Sequence, residues 1–362
     1  MGKDYKYRWE VDSTIEVYRE KPVTRYLIAT LGGYFPVLQR LRSGAIAAVV
    51  ESGDFHVGER GRLDLVVSTD GGESWSAART IMDEGPDARN QAFLALSDGT
   101  LLVAYVHAAY LNGRFDPARG YEKIHLIRSS DEGKTWSAPQ PVDTGAIRGP
   151  QFSPYGKMVE TPDGTILMAV YAGSRLEKPE SFSSWILRSR DGGRSWGDAT
   201  RVAGGSDETA LLRLPSGKMI AMLRRSHPQG GGPSLWQTTS RDEGFTWDEP
   251  RQVTKQTQIP ADLLLLKSGR VLLTFGHRTP PCGVRALVSR DEGGSWDYDH
   301  QITLMAESAL GDCGYPSSVQ LDDGKIFTAY YVYESPGPFR QEGWATFGPH
   351  AAGIKYGEDL LP

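Results

Sequence analysis

The sequence has 362 residues, of which 39% are hydrophobic and 42 are glycine, and its formal net charge is −5. That length allows one large repeat domain or two ordinary domains. It contains no basic tract, which argues against a nucleic-acid partner, and no apolar run of membrane-spanning length.

The first twenty residues are too highly charged for a signal peptide. This predicts a cytoplasmic protein, unless an exported form has lost its signal. The two cysteines, Cys282 and Cys313, are too few for a disulfide scaffold. They form either one bridge or two free thiols, and the lack of an export signal favours free thiols.

Six hairpins recur along the chain, each made of an apolar strand, a tight turn ending in glycine and a second apolar strand. Asp-Gly or Ser-Gly between apolar strands is a strong hairpin signal. The second strand of each pair is almost continuously apolar, which is expected of a strand covered on both faces. The turn glycines are Gly44, Gly99, Gly164, Gly217, Gly269 and Gly324.

A second motif, S-x-D-x-G-x-[ST]-W, follows each of the first five hairpins. Its Asp can accept hydrogen bonds from amides ahead of it, its Gly can take positive φ, and its Trp can pack between sheets. The five Asp residues are therefore interpreted as turn formers and not as catalytic acids. The copies span residues 68–75, 129–136, 189–196, 240–247 and 289–296.

The two motifs together predict the fold class. Each unit reads as four antiparallel strands, and radial repetition of such units makes a β-propeller. Six units predict an all-β, six-bladed propeller that occupies residues 1–362 as a single domain. The sixth unit has no Asp turn, so we expect an N-terminal strand, with residues 13–20 as the candidate, to complete that blade.

Strand parity assigns every loop to one end of the propeller. The Gly turns and the Asp turns share the lower face, and the irregular loops share the upper face. Functional residues are usually carried by irregular loops on a regular scaffold. The upper loops are rich in Arg, carboxylate, His and Tyr side chains, which suit recognition of an acidic ligand and proton transfer.

Five such Asp boxes in six predicted blades resemble the sialidase superfamily, also called the BNR or Asp-box proteins. The resemblance covers nearly the whole chain and implies an exo-acting glycoside hydrolase that removes a terminal acidic sugar. It also implies a Tyr nucleophile, retention of configuration, and no need for a cofactor or metal.

The resemblance assigns the catalytic residues one by one. Tyr315, in G-Y-P-S-S at the entry to the last blade, matches the nucleophile. Glu208, in S-D-E-T-A at the entry to blade 4, matches the Glu that activates it. Asp54 lies where the family has its general acid, and His56 beside it is an alternative proton donor that the usual sialidase pattern lacks.

Arginines that bind the substrate carboxylate follow from the same resemblance. Arg224 fits the position at the end of the strand after Glu208. Its neighbour Arg225 is also a candidate, but strand alternation aims the two at opposite faces, so only one can face the site, and Arg224 is preferred. Arg278 is the preferred arginine from blade 5, with Arg285 second. Asp312, just before Tyr315, is a further candidate for substrate binding.

One departure leaves the substrate open. Sialidases begin blade 1 with Arg-x-Pro, whereas this chain reads G-G-Y-F-P and places Tyr34 at the arginine position. Arg89, in the connection to blade 2, is a candidate replacement. Two alternatives follow: a lyase or hydrolase acting on uronic-acid-containing glycans, or a glycan-binding propeller without catalysis. In every case the expected partner is a glycan with an acidic sugar, and the sequence does not predict an oligomeric state.

Overall fold

The computed structural model describes residues 5–8, 22–30, 32–54, 56, 58–85, 87–108, 110–111, 114–115, 121–147, 149–173, 181–226, 232–333 and 348–362. These residues form an all-β structure with one short 3-10 helix at Glu358–Leu360. Six antiparallel sheets follow one another as the blades of a β-propeller, which confirms the predicted fold class.

The first half of the chain supplies two N-terminal strands and blades 1 and 2. The N-terminal strands are β1 (Tyr5–Arg8) and β2 (Pro22–Ala29). Blade 1 contains β3 (Gly32–Arg40), β4 (Ile46–Ser52), β5 (Arg62–Ser68) and β6 (Arg79–Met82). Blade 2 contains β7 (Ala88–Ala95), β8 (Leu101–Ala108), β11 (Tyr121–Ser129) and β12 (Gln140–Pro141), with the small hairpin β9 (Tyr110–Leu111) and β10 (Arg114–Phe115) between β8 and β11.

The remaining strands make blades 3 to 6. Blade 3 contains β13 (Gln151–Pro154), β15 (Val159–Glu160), β16 (Ile166–Gly173), β17 (Ser183–Ser189) and β18 (Gly197–Gly204), while β14 (Gly156–Lys157) pairs with β7 of blade 2. Blade 4 contains β19 (Ser206–Arg213), β20 (Met219–Arg225), β21 (Ser234–Ser240) and β22 (Arg251–Gln252). Blade 5 contains β23 (Gln258–Leu265), β24 (Val271–His277), β25 (Cys282–Ser289) and β26 (Ile302–Ser308), and blade 6 contains β27 (Gly314–Gln320), β28 (Ile326–Tyr333) and β29 (Pro349–Tyr356).

The N-terminus closes the ring, as predicted, but with a different segment. β2 pairs antiparallel with β29, with Arg25 opposite Ile354, and β1 pairs with β2. The sequence analysis placed the closing strand at residues 13–20, which lie outside the described residues. β2 suits the role because Tyr26 and Ile28 are buried in the core between blades 6 and 1, against Phe327.

Each Asp box ties its own turn together by side-chain hydrogen bonds. In the first box, Ser68 Oγ donates to Asp70 Oδ1 (2.7 Å) and accepts from the Gly72 amide (2.8 Å). The Ser74 amide and hydroxyl both donate to the Asp70 carboxylate, at 2.9 and 2.5 Å. The same bonds recur in the other four boxes, so these Asp residues are turn formers, as the sequence indicated.

The Trp residues of the boxes join neighbouring blades. Each one packs into the cluster between its own blade and the preceding blade; the five are Trp75, Trp136, Trp196, Trp247 and Trp296. Five of the six blade interfaces therefore contain one of these large rings, which holds the neighbouring blades together. Cys282 and Cys313 lie in the cluster between blades 5 and 6 as buried free thiols.

Contacts between turns confirm the assignment of faces. The Ser43 amide, in the Gly turn of blade 1, donates to Glu132 of the second Asp box. Ser216, in the Gly turn of blade 4, donates to Glu292 of the fifth box. The strand ends near these turns surround a cavity of about 920 Å³ at the lower end of the propeller axis. Within the described part of the chain, no helix has the length and apolar character needed to cross a bilayer.

Candidate active site

The innermost strand of several blades carries a bulge near its upper end. The register shifts between Tyr34 and Val37 in β3, between Arg89 and Ala92 in β7, and between Gly314 and Ser317 in β27. Phe35, Asn90 and Tyr315, within these bulges, have positive φ values of 51°, 52° and 47°. A bulge re-aims a side chain out of the strand pattern, and non-glycine residues take such φ values at a cost in strain that is often kept at functional sites.

Tyr315 and Glu208, from blades 6 and 4, meet at this level. Tyr315 Oη donates to Glu208 Oε1 at 2.5 Å, and both residues are buried, with 7% of each exposed. Arg224 Nη1 donates to Glu208 Oε2 at 2.6 Å and to Tyr315 Oη at 3.3 Å. The structure therefore brings together three residues that the sequence analysis predicted for the site, although they are far apart in the chain.

The surroundings of Tyr315 keep its phenol in the protonated form. Burial raises the pKa of Tyr315, and the Glu208 carboxylate raises it further, while Arg224 and Arg278 act in the opposite direction. A neutral phenol hydrogen-bonded to a carboxylate is the arrangement of a nucleophile and its general base.

Arg278 lies over the ring of Tyr315, with its guanidinium carbon 5.4 Å from the ring centroid. Its Nε and Nη2 atoms are buried and donate no hydrogen bond within the described part of the chain. Arg224, by contrast, is already paired with Glu208 and lies 3.5 Å from Asp207. Arg278 thus keeps two donors beside Tyr315 for an acidic ligand, whereas Arg224 keeps only its Nε without a hydrogen bond among the described residues.

An aromatic cluster fills the position of the expected blade 1 arginine. Tyr34 is fully buried, and with Phe35, Tyr315 and Tyr331 it forms one group of packed rings. The Phe35 and Tyr315 centroids are 4.4 Å apart, and Tyr34 Oη lies 2.9 Å from Tyr333 Oη. This side of the site therefore presents ring faces and hydroxyl groups where a third guanidinium was expected.

His56 and Asp312 form a pair at the edge of the aromatic cluster. His56 Nδ1 lies 2.7 Å from Asp312 Oδ2, and Tyr331 Oη donates to Asp312 Oδ1 at 2.5 Å. Burial raises the pKa of Asp312, but the hydrogen bonds from His56 and Tyr331 outweigh it and lower that pKa to about 2. Asp312 is thus an ionised partner for His56, whereas the sequence analysis placed it among the substrate-binding residues.

Asp54 is engaged by its own loop. Its Oδ2 accepts hydrogen bonds from the amides of Glu59 (2.8 Å) and Arg60 (3.2 Å). These bonds use one carboxylate oxygen to hold the turn that carries His56. The general-acid role of Asp54 stays a prediction.

The structure offers no route by which Arg89 could replace the missing arginine. Its side chain is 4% exposed and donates to Asp87 (2.5 Å), Glu51 (3.1 Å) and the His56 carbonyl (2.5 Å). Burial raises the pKa of Glu51 to about 8, against the opposing charge of Arg89. Arg89 holds the loop of His56 through the His56 carbonyl, and its two carboxylate partners balance its buried charge.

The two other arginines proposed from the sequence face elsewhere. Arg225 stacks over Trp236, with its guanidinium carbon 5.0 Å from the ring centroid, so it points away from Arg224 as strand alternation predicts. Arg285 is buried in β25 and donates to Thr303. Of the two candidates from blade 5, only Arg278 lies at Tyr315.

Sequence reasoning missed three residues of the site: Phe35, Tyr155 and Tyr331. Tyr155 lies 6.2 Å from Tyr315 between ring centroids and donates to the Ala261 carbonyl. With Phe35, Asn90 and Glu208 it lines a cavity of about 30 Å³ next to Tyr315. A proline follows both Phe35 and Tyr315, and both of these residues lie at a bulge, so the shared Phe-Pro and Tyr-Pro pattern was a signal in the sequence for Phe35.

Among the described residues, no three His, Cys, Asp or Glu side chains cluster as metal ligands.

Comparison with known families gives a match over most of the chain. The model of the BNR repeat-like domain matches residues 90–328, and that of the BNR/Asp-box repeat matches residues 66–77. A sialidase from Bacteroides fragilis (strain YCH46) is 25% identical over 249 residues, which cover 59% of this chain and 44% of that protein. A sialidase from Paraclostridium sordellii is 23% identical and is covered over 56% of its length. The chain thus spans about half of the length of these curated relatives.

Solved structures with the same architecture cover nearly the whole chain. A protein of unknown function from Dyadobacter fermentans DSM 18053 has a TM-score of 0.74 and 26% identity, covering 91% of this chain and 97% of that one. The Hadza microbial sialidase Hz136 has a TM-score of 0.71 and 19% identity, covering 96% and 71%. A Trypanosoma rangeli sialidase, solved as a covalent intermediate with 2,3-difluorosialic acid, has a TM-score of 0.65 and 14% identity, covering 98% and 59%. At these identities the two sialidases show a shared fold.

Proposed function

Because this chain belongs to the BNR repeat-like domain family and is a propeller of the sialidase superfamily, we propose that it is a sialidase-type glycoside hydrolase. Its substrate is a glycan that ends in an acidic sugar, sialic acid or a related one. The observation that carries the proposal is the hydrogen bond of 2.5 Å from Tyr315 Oη to Glu208 Oε1. Binding of a sugar without chemistry does not need a buried phenol paired with a buried carboxylate.

The proposed mechanism follows from this pair. Tyr315 Oη attacks the anomeric carbon while Glu208 takes its proton, because the raised pKa of the phenol prevents it from ionising unaided. The glycosidic oxygen leaves with a proton from a general acid on the upper face. Water then releases the sugar from Tyr315, so two displacements give retention of configuration.

Arg224 and Arg278 have different tasks in this mechanism. Arg224, within 3.3 Å of Tyr315 Oη, stabilises the charge that moves between the phenol and Glu208. Arg278 offers its unused Nε and Nη2 donors to the carboxylate of the sugar. Ring faces of the aromatic cluster pack against the apolar side of the sugar.

The decisive experiment removes only the phenolic oxygen. Tyr315→Phe keeps the ring packed on Phe35 and lowers kcat for an aryl sialoside by at least about 10³-fold. Tyr356→Phe is the matched control, since its hydroxyl is bonded to Thr328 in the interior of blade 6 and its activity stays at the wild-type level. A Tyr315→Phe enzyme within tenfold of wild type contradicts the nucleophile assignment. Mass spectrometry after incubation with 2,3-difluorosialic acid is expected to find the sugar on the Tyr315 peptide.

A lyase for uronic-acid-containing glycans is the second candidate. Two observations favour it: Tyr34 occupies the expected arginine position, and a His-carboxylate pair lies close to Tyr315. In that reaction His56 removes the proton next to the uronate carboxylate, and Tyr315 protonates the leaving oxygen. If the products contain an unsaturated uronate, detected by ultraviolet absorbance, the enzyme is a lyase and the hydrolase proposal is wrong. If the wild-type protein turns over no acidic glycan, and Tyr315→Phe and Glu208→Ala bind the ligand as the wild type does, the protein is a glycan-binding propeller instead.

A further inference from the structure

We propose that His56, oriented by Asp312, and not Asp54, carries the proton to and from the glycosidic oxygen. The inference rests on the proposed hydrolase function and adds to it the identity of the acid and base. It also assigns Asp312 as a positioning residue, because that residue acts through His56.

One hydrogen bond holds the ring of His56, and two others hold its partner Asp312 and its backbone. Its Nδ1 meets Asp312 at 2.7 Å, and Asp312 is held in turn by Tyr331 at 2.5 Å. The His56 carbonyl accepts from the buried Arg89. A carboxylate on one ring nitrogen selects the tautomer and leaves the other nitrogen, Nε2, for proton transfer. Within the described residues Nε2 makes no hydrogen bond, and 27% of the side chain is exposed.

The ring of His56 lies on the same aromatic cluster as the nucleophile. Its centroid is 4.9 Å from Phe35 and 5.7 Å from Tyr34, while Phe35 is 4.4 Å from Tyr315. The imidazole and the phenol therefore both contact the ring of Phe35. A displacement with a separate nucleophile and acid needs two such groups near one sugar.

Asp54 is less suited to the task for a geometric reason. Two backbone amides donate to its Oδ2, and these bonds hold the group within the turn. Releasing the carboxylate to protonate a substrate would break the turn that presents His56. Asp54 thus holds the backbone of the loop, whereas the His56 ring is held by Asp312.

Protons balance over the two displacements. In the first, the bond from Tyr315 Oη to the anomeric carbon forms, the phenolic proton goes to Glu208, and the leaving oxygen takes the proton of the His56 imidazolium. In the second, water gives a proton to neutral His56 and its oxygen bonds to the anomeric carbon. The bond to Tyr315 breaks, and Glu208 returns the proton to the phenolate. Asp312 supplies the counter-charge for the imidazolium before the first displacement and after the second.

The test compares leaving groups of different basicity. A nitrophenyl sialoside leaves with little need for protonation, whereas sialyllactose needs a full proton transfer. His56→Gln is expected to lower kcat/KM for sialyllactose by at least about 100-fold and for the nitrophenyl substrate by less than about tenfold. Azide is expected to restore part of the lost turnover with the aryl substrate in this variant.

Two matched variants separate catalysis from support. Asp312→Asn keeps the shape of the side chain but removes its charge, so kcat/KM also falls more with sialyllactose than with the nitrophenyl substrate. Asp54→Asn weakens only the loop, so kcat/KM falls equally for the two substrates. The assignment is overturned if the fall in kcat/KM depends on the leaving group in Asp54→Asn and is equal for both substrates in His56→Gln. A wild-type protein that hydrolyses neither substrate, nor the matching glucuronides, overturns the proposed function itself.

Discussion

At the scale of single residues, the site is defined by which polar groups are already satisfied. Glu208 binds Tyr315 and Arg224, and Asp312 binds His56 and Tyr331, so both of these carboxylates have their partners. Arg278 differs, because two of its buried nitrogens have no acceptor among the described residues. Buried donors without acceptors are costly, and a ligand that satisfies them gains that energy on binding.

Replacement of Arg278 by Gln is therefore expected to weaken binding of acidic substrates. Charge-assisted hydrogen bonds contribute about 1.5–3 kcal/mol, so KM rises by about 10- to 100-fold while kcat changes less. Steady-state kinetics on an aryl sialoside measures both constants. Arg225→Gln is the matched control, since its guanidinium stacks on Trp236 and KM stays near the wild-type value. Equal KM values for the two variants would exclude Arg278 as the carboxylate anchor.

At the scale of elements, the Asp boxes stabilise the lower face, and the bulges of the inner strands carry the site at the upper face. The boxes repeat the same hydrogen bonds five times and set the blade interfaces through their Trp rings. The bulges differ from blade to blade, and they carry Phe35, Asn90 and Tyr315 towards the axis. Regular elements thus supply stability, whereas irregular ones supply the site.

Loss of one Asp box is expected to reduce stability without changing activity at moderate temperature. Asp291→Ala removes the acceptor for the Ser295 amide and hydroxyl, which lowers the free energy of unfolding by about 1–2 kcal/mol. Asp291→Asn keeps one acceptor oxygen and gives an intermediate value. Denaturant unfolding measures the difference, and kcat on the same samples serves as the control. A changed kcat in Asp291→Ala would contradict a purely structural role.

The same box predicts how this stability depends on pH. Burial raises the pKa of Asp291, but hydrogen bonds from Ser295 and Ser289 outweigh it and lower that pKa to about 2. Because the folded pKa is depressed, the contribution is complete above the unfolded value, near ~4, and is lost as the pH falls through 2. Wild type and Asp291→Ala therefore converge in stability over this range. A constant difference down to pH 2 would show that the carboxylate charge is unimportant.

At the scale of the whole molecule, the ring depends on a strand from the opposite end of the chain. β2 completes blade 6 and buries Tyr26 and Ile28 against Phe327. Without it, β29 becomes an open edge and an interface between blades loses its apolar contacts. Closure therefore couples the two ends of the sequence to the site, because Tyr315 and Asp312 enter through blade 6 and Tyr34 and His56 belong to blade 1.

Removal of residues 1–30 is expected to destabilise the whole propeller, lower its unfolding temperature and promote aggregation through β29. Removal of residues 1–21, which retains β2, is the matched control and is expected to cost much less, since β1 is the one described strand that it removes. Thermal unfolding followed by light scattering compares the two proteins. Equal unfolding temperatures would show that the ring does not rely on β2.

The sequence by itself determined what local chemistry and repetition encode. The turn glycines, the Asp boxes and the apolar strands are short-range patterns, so they were sufficient to predict the blades, their number and the face that carries each loop. Residue order and the family resemblance then placed Tyr315, Glu208, Arg224 and Arg278 together on the upper face, where the structure has them side by side.

Only the tertiary structure decided how these groups are partnered. Burial and hydrogen-bond geometry depend on side chains from blades that are distant in sequence, such as Glu51 and Asp87 enclosing Arg89, or Tyr331 holding Asp312. No local pattern distinguishes an arginine that faces a ligand from one neutralised by buried carboxylates. For the same reason the choice between Asp54 and His56, two residues apart in the same loop, rests on their partners: backbone amides for Asp54 and the Asp312 carboxylate for His56.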